Sequence, residues 1–281
     1  MGAGPSFFLA VALGLAGTGP LAAQLRRDAF VQTVGAAASG EVLFGLGVTH
    51  ITDAVFPLSG LSGDLTAAPV LHAVWAVGPR VAFEVRGAVR QVLSIDGSDR
   101  MPAVPLDPSV DDGTTRDVGD FELAVSFAPL GGPEGFSAGG HLGMKLPNSD
   151  ETRGIGSNTT DVTIAALFSW LSGRWRAAGW FGVAILEAPS QIFEQNDAFA
   201  YAFESLWRAS PRWRLSLGTR GRVSTRRLSP RGTEDLGEIR ATVEWRRGPV
   251  AVDAGLGRGY STASGDWNLR AGIAWRLAGG P

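Results

Sequence analysis

The feature that most constrains the fold is an alternation of apolar and non-apolar residues, which recurs in some twelve segments from about residue 41 onward. The segment 80–93 shows it most clearly: Val81 and Phe83 would face one side, and Glu84 and Arg86 the other. A period of two residues is that of a β-strand with one apolar and one polar face. The chain is therefore expected to be all-β.

The alternation and the turn residues predict twelve strands, over 41–50, 65–77, 80–93, 117–128, 136–146, 159–170, 174–186, 198–208, 212–223, 236–246, 250–258 and 266–277. Short connections rich in Gly and Pro alternate with long ones over roughly 51–64, 94–116, 147–158, 187–197, 224–235 and 259–265. An even number of strands, with short turns at one end and long loops at the other, is typical of a transmembrane barrel. Both termini would then lie in the periplasm.

A soluble sheet would also alternate, but its apolar face would pack against a second sheet or a helix. After residue 24 the sequence shows no helical pattern that would predict a helix covering such a face. A closed barrel with lipid outside satisfies every backbone N–H and C=O within the wall, as a membrane requires. We therefore predict a transmembrane antiparallel up-and-down β-barrel in the bacterial outer membrane, with short periplasmic turns and long extracellular loops.

Tryptophan gives an independent indication of the membrane boundary, where such rings gather. Seven of the nine tryptophans fall beside a proposed short turn or the C-terminus, and all seven lie on the apolar faces of their strands. They predict a periplasmic aromatic girdle of Trp75, Trp170, Trp175, Trp207, Trp213, Trp245 and Trp275.

The N-terminus divides into two parts before the barrel. Residues 1–23 carry no charged side chain and run apolar from Phe7 to Ala16 before a small-residue site, which predicts a secretory signal peptide. Residues 24–40 would either plug the lumen or lie in the periplasm, and residues 41–281 would form the barrel. The absence of cysteine excludes a disulfide framework and a thiolate site.

The inward positions of the predicted strands are strongly charged. Charged side chains inside a narrow barrel must be paired or hydrated. One interpretation is therefore an interior filled with paired charges. The other is a passage that attracts polar or anionic solutes. Both stay open from the sequence. The candidate lumen-lining residues are Glu84, Arg86, Arg90, Asp120, Glu122, His141, Lys145, Asp161, Arg220, Arg222, Arg240 and Arg270.

Catalysis has little support. The chain has three histidines, His50, His72 and His141, and no suitable serine neighbour on an adjoining strand is evident. A Ser–His nucleophile needs a hydroxyl within hydrogen-bond reach of an imidazole that a third group orients. We therefore predict no catalytic residue, no metal site and no cofactor.

Three segments resemble the outer-membrane barrels of the MetA-pathway phenol-degradation family, a transporter-like group. Gly119-Asp120-Phe121-Glu122-Leu123 is similar to its "G-D-apolar-x-apolar" strand. Gly143-Met144-Lys145-Leu146-Pro147, then Gly154-Ile155-Gly156-Ser157 and Thr160-Asp161-Val162, resemble its strand end, Gly-rich loop and next strand start. After Pro147 the chain has Asn148-Ser149 where the family pattern has Thr-Gly. The resemblance implies an outer-membrane channel for aromatic or other small hydrophobic compounds.

These observations predict a passive uptake channel with a charged lumen, with loops 94–116 and 147–158 gating the outer mouth. The alternatives are a closed structural or interaction barrel with a plugged lumen and, less favoured, a barrel lipase or protease. The expected partners are outer-membrane lipids, the barrel-assembly machinery and a small-molecule solute. The net charge of −2 gives no general attraction for nucleic acid.

Overall fold

The computed structural model describes residues 26–27, 29–32, 39–98, 102–110, 113–132, 134–188 and 194–277. The predicted signal peptide over 1–23 lies outside them. The described chain contains fourteen strands and one 3₁₀ turn, Glu151–Arg153. The strands are β1 (Val42–Phe56), β2 (Leu61–Gly78), β3 (Val81–Ala88), β4 (Gln91–Ser98), β5 (Thr114–Asp117), β6 (Glu122–Gly131), β7 (Gly135–Lys145), β8 (Asp161–Ser172), β9 (Trp175–Ala188), β10 (Glu194–Arg208), β11 (Trp213–Ser224), β12 (Leu236–Arg247), β13 (Val250–Gly259) and β14 (Trp267–Leu277). Among the described residues, no helix has the length and apolar character needed to cross a membrane.

The strands form one antiparallel sheet that closes on itself. β1 pairs with β14 on one side, from Val42 opposite Leu277 onward, and with β2 on the other. β4 pairs with the first half of β2, and β5 pairs with β4. β3 and β4 together thus form one wall strand with a single interruption. β5 and β6 form another in the same way. The wall has twelve strands in the described chain, which confirms the predicted barrel.

The interruptions change which residues face inward. β2 pairs with β3 beyond Pro69 and with β4 before Ala68, and one register runs through both pairings. Beyond the break the odd residue Trp75 is half exposed, whereas before it the odd residue Leu65 is buried. Proline has no N–H to give to the ladder, and the wall is irregular here although Ala68 N still donates to Arg90 O at 2.9 Å. The predicted continuous alternation over 80–93 therefore does not hold after Ala88.

The connection predicted over 51–64 is much shorter in the structure. β1 continues to Phe56 and β2 begins at Leu61, which leaves a four-residue turn. The pairing of these strands shifts register between Ile51 and Ala54, and Asp53 has a φ of 50°. Such irregularities break the alternation of apolar and polar residues although the strands continue. The sequence therefore predicted a loop where the structure has the ends of two strands.

The outer face of the wall is apolar. About half of the side-chain surface is exposed at Leu217, Ile164, Phe83 and Leu256. Side chains that face lipid have such exposure when the surrounding lipid is left out. The seven tryptophans of the predicted girdle lie at the short-turn end; Trp175 stacks on Trp207, and Trp213 is directly opposite Trp245. Their role at the membrane boundary stays a prediction.

An apolar ring lines part of the lumen at the same end. Phe30 and Val31, which precede β1, pack against inward residues of the wall: Leu43, Val74, Ala76, Ala82, Ala128, Leu167, Ala178, Ala202 and Ala274. The alternation in the sequence predicts a charged interior and gives no indication of this ring. Small and aliphatic inward residues create the space that a segment from outside the wall can fill.

Candidate functional site

Residues that precede β1 fill the lumen at the short-turn end. We call them the lumenal segment: Arg26, Arg27 and Ala29–Gln32. Arg26 is 2% exposed and forms an ion pair with Glu204. Its Nε lies 3.8 Å from Glu244 Oε2. A buried guanidinium is stable only beside such acceptors, so inward carboxylates of β10 and β12 hold this segment.

Arg27 is held on another part of the wall. Its Nε donates to Asp253 Oδ2 at 2.8 Å, and a second guanidinium nitrogen pairs with the other carboxylate oxygen. A Cβ at Gly45 would lie 2.5 Å from Arg27 Cδ, and one at Gly272 would lie 2.3 Å from its Cζ. No side chain fits at those distances, so the two glycines allow the guanidinium to approach the wall.

Phe30 is the residue of the lumenal segment that faces the open part of the lumen. Its N–H donates to Glu204 Oε2 at 3.0 Å. The Cζ of Arg240 lies 3.9 Å from the ring centroid, and that of Arg220 lies 5.2 Å from it. Guanidinium groups at these distances are attracted to the ring face. A clamped aromatic ring therefore forms the floor of the space above it.

Above Phe30 the lumen widens into a cavity of about 550 Å³, a size typical of ligand pockets. Ten of the twelve candidate lumen residues line it: Glu84, Arg86, Asp120, Glu122, His141, Lys145, Asp161, Arg220, Arg222 and Arg270. Arg240 lies under the floor ring. Arg90 is exposed outside the cavity, because the break between β3 and β4 changes which residues point inward.

The cavity charges are largely paired across neighbouring strands. Arg86 Nε of β3 donates to Glu122 Oε2 of β6 at 2.5 Å. Glu84 of β3 lies against His72 of β2, with 2.7 Å between Oε1 and Nε2.

Glu238 lies among three arginines. Its carboxylate oxygens are 3.5 Å from Arg220 Nε, 3.6 Å from Arg270 Nη2 and 3.9 Å from Arg240 Nη1. These groups face the cavity or its floor. The residues that pair with one another are therefore the same residues that give the cavity its polar wall.

One side of the cavity is aromatic. His141 and Trp180 stack with ring centroids 5.1 Å apart and planes within 7°. Both residues line the cavity, and together they present a flat surface on which another ring can stack. Trp180 is not among the residues predicted from the sequence to line the lumen. It lies five residues after Trp175 and so belongs to the opposite face of the same strand.

His141 also has a serine neighbour, which corrects the sequence analysis. Ser126 lies directly opposite it on β6, with 2.9 Å between Oγ and His141 Nδ1. The pairing of two strands joined by a turn depends on exact register, which the sequence leaves open. Ser126 is only 4% exposed, and in the described residues no carboxylate bonds to His141. The group that would orient a catalytic imidazole is therefore not found there.

The segments that carry the family resemblance converge at the upper wall. Lys145 Nζ donates to Ser157 Oγ at 2.5 Å and to Thr159 Oγ1 at 2.8 Å. It also lies 3.0 Å from Asp161 Oδ2 and 3.7 Å from Asp120 Oδ2. The ammonium group thus joins β7, β8, the loop between them and the segment just before β6, which gives the motif a structural role.

Four outer segments interlock above the cavity, and we call them the outer cap: 57–60, 102–110, 151–154 and 225–235. Ser59 Oγ donates to Gly154 O at 2.7 Å. Asp107 N donates to Thr152 O at 2.9 Å. A Cβ at Gly232 would lie 2.9 Å from the buried Leu58 side chain. The cap therefore includes described parts of both loops that the sequence assigned to the outer mouth.

Comparison with known proteins supports the fold. No protein-family model and no curated protein matches the chain. The COG4313 outer membrane channel of Pseudomonas putida F1 superposes with a TM-score of 0.62 at 14% identity, over 89% of this chain and 100% of that one. The CymD monoaromatic hydrocarbon channel matches with a TM-score of 0.43 at 12% identity, over 86% and 89%. The toluene transporter TodX of Pseudomonas putida matches at 0.39 and 9%, over 84% and 89%. The first likeness shows a shared fold, and the chain is a barrel of the outer-membrane type.

Proposed function

We propose that this barrel is a passive outer-membrane channel that takes up small molecules. The observation that carries the proposal is the cavity of about 550 Å³ inside a closed transmembrane wall. Its floor is a segment that belongs to no wall strand. Signal-peptide cleavage, insertion by the barrel-assembly machinery and contact with outer-membrane lipids belong to the same proposal.

The proposed solute has an aromatic or other hydrophobic body and a polar group. The stacked rings of His141 and Trp180 offer a surface for a flat body, and Phe56 and Ile155 add apolar contacts at the cavity wall. The carboxylates and guanidinium groups of the ten lining residues would bind the polar group. Apolar walls with a few placed polar groups are typical of small-molecule sites.

The proposed passage runs from the outer cap to the lumenal segment. Residues 24–40 would act as a plug, because Arg26 and Arg27 reach the wall through side-chain ion pairs and not through strand pairing. Such a segment can leave without unzipping any wall strand. Loops 94–116 and 147–158 would control entry, since their described parts interlock in the cap.

The contacts of the lumenal segment also favour the second candidate, a permanently closed barrel that serves as a structural or interaction protein. Six described residues fill the periplasmic half of the lumen, and Arg26 is buried among carboxylates. We propose no covalent chemistry for either function. The decision between them depends on whether the segment can move.

A reversible tether tests this directly. A Cβ at Gly45 would lie 3.4 Å from the Cβ of Arg27, close to the usual separation of about 3.5–4.5 Å in a disulfide. The chain has no cysteine, so R27C/G45C would form one defined bridge on oxidation. We expect little single-channel conductance from the oxidised protein in a planar bilayer, and larger, frequent openings after reduction.

The single variants R27C and G45C are the matched controls, because neither can form the bridge within one chain. Both should conduct equally with and without reductant. Equal conductance of oxidised and reduced R27C/G45C, in protein shown to be bridged and folded, would contradict a passage through the floor. Silence in both states would favour the closed barrel.

A further inference from the structure

An arginine-rich cleft lies at the short-turn end of the barrel. It occupies about 340 Å³ between the turn that joins β10 to β11 and the turn that joins β12 to β13. Two of its eight lining residues are Pro211 and Gly248, and the other six are Arg208, Arg212, Arg214, Arg246, Arg247 and Arg276. No carboxylate lines this cleft among the described residues, so its wall is entirely cationic or neutral.

Nearby carboxylates balance only part of this charge. Glu244 lies 2.6 Å from Arg246 Nε and 3.4 Å from Arg214 Nη1, and it is shared with the lumenal segment. Glu41 lies 3.9 Å from Arg276 Nε. The structure shows no carboxylate within 4 Å of Arg208, Arg212 or Arg247 in the part of the chain that it describes. Three of the six guanidinium groups therefore have no carboxylate partner among the described residues.

Strand register places two of these charges directly opposite each other. Arg208 of β10 pairs with Arg214 of β11. Like charges at facing positions of an antiparallel pair are destabilising. Arg208 and Arg214 are also half-buried, and Arg246 is buried, so water screens them less than it screens a fully exposed rim. This arrangement is stabilised when an anion enters the cleft.

The chemistry of the cleft favours a phosphate group. A guanidinium presents a planar fork of donors that matches phosphate oxygens in pairs. Trp207, Trp213 and Trp245 lie beside the same short turns on the outer face of the wall. Arg212 and Arg247 are exposed at this rim of the cleft. If those rings mark the membrane boundary, this is the depth of phospholipid headgroups as well as the edge of the periplasm.

We propose that the cleft formed by these six arginines binds a phosphate group, carried by an anionic phospholipid of the periplasmic leaflet or by a soluble phosphate compound. This site is separate from the solute cavity and does not depend on transport. Its occupant neutralises the facing arginines and fixes the two turns relative to each other.

The experiment measures binding of two probes to the full-length mature chain and to R212Q/R247Q. The first probe is inorganic phosphate, added to protein in a zwitterionic detergent and followed by calorimetry. The second is phosphatidylglycerol, whose retention by protein from mixed phosphatidylcholine–phosphatidylglycerol nanodiscs is measured by native mass spectrometry. Loss of two charge-assisted contacts should weaken binding at least about tenfold.

Two further variants separate the causes. R116Q/R227Q removes the same charge from exposed positions at the outer end and should bind both probes like the natural sequence. R212K/R247K keeps the charge without the fork, so an intermediate affinity is expected. It also provides a folded comparison if R212Q/R247Q does not assemble.

Phosphate binding that R212Q/R247Q loses supports the proposal with a soluble occupant. Lipid retention that this variant loses, without binding of inorganic phosphate, supports it with a lipid occupant. Absence of both, or equal loss in R116Q/R227Q, would overturn it. Tighter binding of an acidic peptide such as polyglutamate than of either probe would also overturn it, in favour of a protein partner.

Discussion

The two halves of the lumen share one wall but are filled in different ways. In the periplasmic half, Glu204 and Asp253 find their partners in the lumenal segment. In the outer half, Arg86 and Glu122 find theirs across neighbouring strands, and open space remains beside them. Alternation along a strand therefore decides only that polar residues face inward. Whether the lumen is closed by a floor or left open as a cavity depends on the partners of these polar residues, which come from the lumenal segment in one half and from neighbouring strands in the other.

The largest expected effect concerns the floor. Arg26→Ala would leave Glu204 and Glu244 buried without this partner, and breaking a buried ion pair costs about 3–5 kcal/mol. We expect the lumenal segment to leave the wall while the barrel stays folded. The measurement is the rate of maleimide labelling at A29C, a buried position in an otherwise cysteine-free chain.

Arg212→Ala is the matched control, because Arg212 is exposed at the rim. It should leave the labelling rate at A29C unchanged. An equally slow rate in R26A would mean that the ion pairs do not hold the floor, and the contrast between the two halves would lose its basis.

The next effect tests the wall that both halves share. Leu217 is 55% exposed on the outer face of β11, so Leu217→Arg should cost about 2–4 kcal/mol if it lies near the membrane midplane. Urea unfolding in lipid vesicles measures this. Leu228→Arg, at an 88% exposed position outside the strands, should cost almost nothing. Equal stabilities would contradict the assignment of the outer face.

A smaller effect distinguishes the cavity from the floor. Changing Arg220 and Arg222 to Glu reverses two charges at the cavity wall, so the reversal potential in a KCl gradient should move toward cation preference. R116E/R227E makes the same change at exposed positions and should shift it much less. Unaltered selectivity in a conducting R220E/R222E protein would place the ion path elsewhere.

The smallest effect concerns the outer cap. Hydrogen bonds from Ser109 Oγ and N to the Asp107 carboxylate lower its pKa below the ordinary value of 3.8. This contribution to loop order is present above 3.8 and is lost as the pH falls through the lowered pKa. Ser109→Ala should move the pKa of Asp107 upward in a carbon-13 titration, whereas Ser261→Ala should not. An unchanged pKa in S109A would show that Ser109 does not hold this part of the cap.

Most of the wall could be predicted from the sequence, because lipid requires an apolar outer face and closure requires strand pairing. Ile164, Leu217 and Leu256 follow that rule and are exposed as expected. The rule fails where the backbone is irregular. At Pro69 and after Ala88 the inward face changes, so Arg90 leaves the lumen and Leu93 enters the interior.

The interior was harder to predict, since its contacts join residues far apart in the sequence. Trp180 could have been predicted from its sequence position, because an odd number of residues after Trp175 places it on the opposite face of the strand. The pair of Ser126 and His141 required the register of β6 and β7. Phe30 could not have been found, because its position depends on Arg220, Arg240 and Glu204, which come from three different strands.

The origin of the floor has a consequence for assembly. The lumenal segment precedes every strand of the wall, yet its partners Glu204 and Asp253 lie 178 and 226 residues later. Contacts of such high sequence separation form slowly, because a very large loop must close before they are made. Arg27 has no partner in Asp253 until β13 has joined the sheet. Docking of the lumenal segment thus follows the addition of the last strands, and it gives an internal signal that the ring has closed.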